Sequence, residues 1–215
     1  MNYKTLAIIG AGGHARSVYS WLEHSNINYL ELFFVDKNKK KNDEKIFNHT
    51  IIQKEWTNLH GIKTEVYLLA IGDNILRKQI YEYLFHNNKV VIGIVHNSVI
   101  LGFNSRIHNS TSIGPLSIVG PLVVLNENTI VNSGAIIEHE TVIGPHSHIA
   151  PGAKIAGRVT IGASVFIGIG AVVIENIVIG DNVIVGAGAV VTKNIPSNSI
   201  VAGVPAKIIR KLDSK

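Results

Sequence analysis

The chain has 215 residues, 46% of them apolar, a net charge of +5 and no cysteine. That is room for one large or two small domains. It excludes a disulfide framework and thiol chemistry, and no apolar run is long enough to span a membrane.

Part of the positive charge lies in Lys37-Asn38-Lys39-Lys40-Lys41 and in the Lys207–Lys211 end. Such runs read as solvated loops, or as a general attraction for anionic ligands such as nucleotides or CoA. No basic stripe is interleaved with aromatics, so nucleic acid is not an expected partner. The apolar run Thr5–Ile9 is too short for a signal segment, which leaves the cytoplasm as the expected location.

The first 96 residues read as an α/β unit. Leu6–Ile9 is a buried-strand run that meets Gly10-Ala11-Gly12-Gly13-His14-Ala15. A helix follows, apolar at Val18, Trp21 and Leu22. Leu32–Val35 is a second strand ending on Asp36, and the polar stretch from Lys37 to Asn48 is expected as loop. Val66–Ile71 is a third strand closing on Gly72-Asp73-Asn74, followed by a helix from about Ile75 to His86 and a fourth strand at Val90–Ile94. Alternating strands and helices imply a parallel sheet of Rossmann-like character.

Gly10-x-Gly12-x-x-Ala15 with Asp36 fits a dinucleotide fingerprint. Taken alone it reads as NAD binding. The unit, however, is half the size of a full dinucleotide fold, and it feeds a different architecture. The reading that fits both is a nucleotide-sugar edge built from Gly12, Gly13, His14, Asp36, Lys37 and Gly72, where backbone N–H groups at a helix N-terminus approach phosphate. A glycine turn with a purely structural role is the alternative. Arg77, on the helix after Gly72, is either a phosphate contact or a solvated helix residue.

From about Leu101 the pattern changes. Stepping in sixes from Ile107 to Val191 gives an aliphatic residue at each of fifteen positions. The next residue is often glycine, and the residue two before is small or valine. This period fits neither a helix nor hairpins. It marks a hexapeptide β-helix with about eighteen residues per triangular coil. Ile107, Leu125, Ile143, Ile161 and Ile179 should then stack in one column. The expected fold is an α/β Rossmann-like domain over residues 1–96, followed by a left-handed parallel β-helix over 97–215 capped by a short basic helix.

A rod of this kind acts through departures from its repeat. Glu138-His139-Glu140 follows an inward Ile137, which puts His139 at a turn between two carboxylates. Such an imidazole can serve as a general base; a surface histidine with solvated acids is the plainer reading. Gly157 lies one coil later and would leave space above His139. His148 is half a coil away, so the two can share a site only between neighbouring rods. His146, beside Pro145, reads as surface. No histidine pair has metal-ligand spacing on a helix, and no metal is expected.

The β-helix together with Ala202-Gly203-Val204-Pro205-Ala206-Lys207, and Ile8-Ile9-Gly10-Ala11-Gly12-Gly13-His14-Ala15 ahead of it, resembles the hexapeptide-repeat sugar O-/N-acetyltransferases. That group contains sialic acid O-acetyltransferases and the nucleotide-linked 4-amino-sugar N-acetyltransferases of the bacillosamine and perosamine pathways. The resemblance implies acetyl-CoA as co-substrate, His139 as general base and Glu140 as the acid that raises its basicity. It implies His148 near the thioester, Gly157, Ile169 and Ala187 along the CoA, and a nucleotide on the Gly12, Gly13, His14, Asp36, Lys37 and Gly72 edge. It also implies a homotrimer with active sites between subunits.

The function expected is acetyl transfer from acetyl-CoA to the 4-amino group of a UDP- or GDP-linked 4-amino-6-deoxy sugar. Sialic acid O-acetylation is the nearest alternative, an inert hexapeptide scaffold the alternative outside catalysis, and an NAD-dependent dehydrogenase a fourth.

Overall fold

Leu6, Ala7 and Ile8 have no solvent exposure at all, because the strand they belong to is the middle of a sheet covered on both faces. A computed structural model describes residues 1–38, 44–59 and 61–212. Lys39, Lys40 and Lys41 of the basic run lie outside the described residues. The chain divides into two units, Met1–His96 and Asn97–Lys215.

In the first unit β1 (Asn2–Ile9) leads through α1 (Gly13–Glu23) to β2 (Asn28–Asp36), then to β3 (Lys45–Ile46) and β4 (His49–Gln53). The chain crosses to β5 (Val66–Leu69) and through α2 (Asn74–His86) reaches β6 (Val91–Ile92). The sheet order is β3-β4-β2-β1-β5-β6, parallel except for the β3–β4 pair. The chain leaves β1 on one side for β2 and returns on the other as β5. The carboxyl end of β1 is therefore a topological switch point, where open α/β sheets bind ligands.

Two expectations change here. The loop expected to run to Asn48 ends at Lys45, where a hairpin turns on Phe47 and Asn48 at φ of 46° and 70°. It is anchored by buried Ile46 and by the His49 ring 3.2 Å from the Leu32 carbonyl. The fourth strand is only Val91–Ile92.

Among the described residues, the second unit contains sixteen two-residue strands, one every six residues from Ile100–Leu101 to Val190–Val191. Each pairs in parallel with the strand eighteen residues away. The column Ile107, Leu125, Ile143, Ile161, Ile179 is in register throughout. This is the left-handed parallel β-helix expected. From Ile113 to Val191 every inward aliphatic is at most 1% exposed. Ile107 is half-buried because it ends its column.

The corners close in two ways. Buried hydroxyls two residues before the inward aliphatic donate to carbonyls fifteen residues on, Ser147 to Gly162 at 2.9 Å and Thr141 to Ala156 at 3.0 Å. Corners also turn through one residue in the left-handed region, among them Asn128, Glu140, His146 and Arg158 at φ of 54°, 59°, 60° and 59°. Asparagine tolerates this conformation; the longer side chains adopt it at a cost of about 1–2 kcal/mol each.

The expected basic helix at the end is instead a strand, Lys207–Lys211, antiparallel to Ser199–Ala202 with a bulge between Ile200 and Val201. An available edge captured the segment, and tertiary pairing overrode local propensity.

Candidate active site

His139 and Glu140 form the corner between the strands Ile136–Ile137 and Val142–Ile143. Ile137 is inward and fully buried, Glu138 outward. Nδ1 of His139 lies 3.0 Å from Oε2 of Glu140, with the two side chains 45% and 42% exposed. A carboxylate on Nδ1 selects the tautomer with the proton there, leaving Nε2 with a lone pair. The same Oε2 accepts a hydrogen bond from Arg158 Nε at 2.9 Å. The imidazole contact first, and then Arg158, hold the Glu140 carboxyl below its usual range.

Gly157 stacks one coil beyond His139. A Cβ there would lie 2.5 Å from Nε2, so the missing side chain accommodates the imidazole itself. Arg158 N–H also donates to the His139 carbonyl at 2.9 Å.

His148 belongs to a different face of the triangle. It is outward on the strand His148–Ile149, yet only 6% exposed. Its ring packs edge-on against Phe166 at 5.2 Å, and its Nε2 is 3.1 Å from the Asn132 amide nitrogen. Ile169 and Ala187 are exposed and occupy one corner column, joined by Gly188 N–H to the Ile169 carbonyl at 2.8 Å. His146 is not surface: it is 6% exposed, with Nδ1 2.9 Å from the amide nitrogen of buried Asn128.

In the first unit, Gly10 has φ of 108°, and a Cβ there would come within 2.8 Å of the Ala70 carbonyl oxygen. The ends of β1, β2 and β5 thus converge on a position only glycine can fill. Gly12 is the N-cap of α1 and Gly13 its first residue, both exposed. The first-turn N–H groups have no acceptor within the helix by construction.

Asp36 accepts from Ala11 N–H through Oδ2 and from Asn38 N–H through Oδ1, both at 2.8 Å. It therefore shapes the glycine turn as well as standing beside it. Lys37 is exposed next to it, and Gly72 half-buried.

Arg77 fits neither role expected for it. It is 1% exposed, and its guanidinium donates to the Ile71 and Gly72 carbonyls at 3.2 and 3.4 Å and to Asn74 Oδ1 at 2.9 Å. Burial lowers its pKa to about 10. Burial, then the nearby Arg77 charge, lowers the pKa of His14 to about 4, so His14 is neutral at pH 7. Sequence reasoning missed Arg158, although the eighteen-residue step that relates His139 to Gly157 also relates Glu140 to Arg158.

Residues 5–84 match the PglD N-terminal domain family, and residues 158–193 match the bacterial transferase hexapeptide family of six repeats. Among solved structures, the acetyltransferase domain of PglB from Neisseria gonorrhoeae, in complex with acetyl coenzyme A, is 28% identical with a TM-score of 0.88, covering 96% of this chain and 99% of that one. A variant of perosamine N-acetyltransferase from Caulobacter crescentus, in complex with CoA and GDP-perosamine, is 26% identical with a TM-score of 0.88 over 96% and 97% of the two chains. WeeI from Acinetobacter baumannii shares the fold at 21% identity, with a TM-score of 0.84 over 96% and 100%.

An α/β unit with a glycine-lined edge, joined to a hexapeptide β-helix carrying an exposed imidazole–carboxylate corner, defines an acyltransferase of the hexapeptide class. Within that class the chain is similar to sugar acetyltransferases with a PglD-type N-terminal domain.

Proposed function

We propose that the chain transfers an acetyl group from acetyl-CoA to the 4-amino group of a nucleotide-linked 4-amino-6-deoxy sugar, with UDP or GDP as the nucleotide. The observation that carries this reading is the His139 corner: one ring nitrogen held by Glu140, and the ring seated over Gly157, where any side chain would collide with it. The CoA and GDP-perosamine bound to the Caulobacter relative, and the acetyl coenzyme A bound to the Neisseria domain, support it.

The sugar amine attacks the thioester carbonyl, forming the C–N bond while the C–S bond breaks. His139 Nε2 takes the proton that the nitrogen gives up, and Glu140 holds the imidazolium that results. The CoA thiolate leaves and takes that proton from the imidazolium, which returns His139 to its neutral form. His148, or a backbone N–H, stabilises the developing oxyanion. Gly157, Ile169 and Ala187 line the CoA. The nucleotide takes the edge of Gly12, Gly13, His14, Asp36, Lys37 and Gly72, its phosphates on the N-terminus of α1. No acyl-enzyme is formed. The working unit is a homotrimer of parallel rods, and the enzyme operates in the cytoplasm. A panel of UDP-, GDP- and dTDP-4-amino-6-deoxy sugars, assayed with acetyl-CoA by release of free thiol, tests the reading. Turnover of a UDP- or GDP-linked substrate is expected; an absence of thiol release across the whole panel would defeat it.

A further inference from the structure

We propose that Arg158 is a positioning residue for acetyl transfer: it clamps the Glu140 carboxylate and the His139 backbone so that Nδ1 of His139 is held as a donor and Nε2 is presented to the substrate amine. The inference rests on the reading of His139 as the base.

The geometry is specific. Arg158 stands one coil beyond Glu140, at the same left-handed corner position, with φ of 59° for both. It makes two contacts back to the preceding corner. Its main-chain N–H holds the His139 carbonyl at 2.9 Å. Its Nε holds Glu140 Oε2 at 2.9 Å, the same oxygen that lies 3.0 Å from His139 Nδ1. Two donors therefore converge on one oxygen, which fixes the carboxylate in the plane that serves the imidazole. Without the guanidinium, an exposed glutamate has several rotamers, of which only some reach Nδ1. The ring would then exchange tautomers, and part of the population would present a protonated Nε2 that cannot accept a proton.

Charge acts in the same direction. The charged groups of this corner are Glu138 and Glu140 on the imidazole's own turn, Arg158 on the coil beyond and Glu175 two coils on. The corner on the coil before is Pro121-Leu122, which carries no charge. Arg158 is paired with Glu140, so its charge adds to the hold on that carboxylate.

The test uses Arg158→Asn and Arg158→Lys in the full-length enzyme. Asparagine tolerates the left-handed backbone, so the corner is kept while the reach to Glu140 is lost. For Arg158→Asn, kcat is expected to fall about 10-fold with KM for both substrates unchanged. Nitrogen NMR of labelled His139 should change from the Nδ1–H tautomer to a mixture. Arg158→Lys should recover part of kcat. If Arg158→Asn keeps kcat within about twofold, with an unchanged tautomer, the proposal is overturned. His139→Asn separates the two levels. Near-normal turnover there removes the base itself, whereas an inactive His139→Asn beside an unaffected Arg158→Asn removes only the role of Arg158.

Discussion

His139 and His148 stand on opposite sides of one triangle. His139 turns the corner between the faces that carry Ile136–Ile137 and Val142–Ile143, while His148 lies on the third face, paired with Ile130 and Phe166. Within one chain the rod's packed core separates them. If both serve one reaction, two chains must supply them, and a closed ring of rods does so symmetrically.

Complementation follows from that relationship. His139→Asn and His148→Ala chains, each impaired alone, should regain activity when unfolded together and reassembled. Random mixing regenerates about one intact site in four. A steady-state assay of the mixture, with sedimentation to confirm a three-chain particle, checks this. No recovery in a mixed particle would mean that the two residues do not meet.

Gly157→Ala should cost activity far more than stability. Its Cβ would displace the His139 ring, 2.5 Å away at Nε2, and a shift of that size at the reacting group lowers kcat by about 10- to 100-fold. The thermal midpoint should move by only a few degrees, about 1 kcal/mol. Kinetics and calorimetry on the same preparation separate the two effects.

The repeat was legible because burial of one aliphatic in six leaves a period that no other architecture shares, and the stacked column beginning at Ile107 and Leu125 followed from it. The corner pair was legible for the same reason: Glu138, His139 and Glu140 interrupt a regular pattern at a known phase. What escaped depends on partners that no local pattern encodes. Arg77 looks like an exposed helix residue until the Ile71 and Gly72 carbonyls turn toward it. Lys207–Lys211 has the composition of a basic cap but meets an open strand edge. His146 beside Pro145 looks superficial, yet its left-handed backbone turns the ring onto Asn128.

His14 makes the stability of the first unit depend on pH. Its folded-state pKa of about 4 lies below the ordinary histidine value of 6.5. Between those values the unfolded chain binds the proton and the folded chain does not. Stability is therefore full above pH 6.5 and falls as pH drops toward 4, by on the order of 3 kcal/mol. Urea midpoints at neutral pH and near the folded-state value should show the loss in the wild type and a smaller one in His14→Gln. Equal losses in both would contradict the assignment.

Ile143→Ala tests the column. Ile143 is fully buried between Leu125 and Ile161, and truncation should cost about 2–5 kcal/mol. Denaturant unfolding of the variant provides the measurement.

The most direct measurement is the turnover of His139→Asn with acetyl-CoA and the preferred nucleotide-linked amino sugar, beside acetyl-CoA binding by calorimetry. Turnover is expected to fall by about 10²- to 10⁴-fold while acetyl-CoA affinity stays near that of the wild type. Thiol release at close to the wild-type rate would contradict the role of His139 as the proton acceptor.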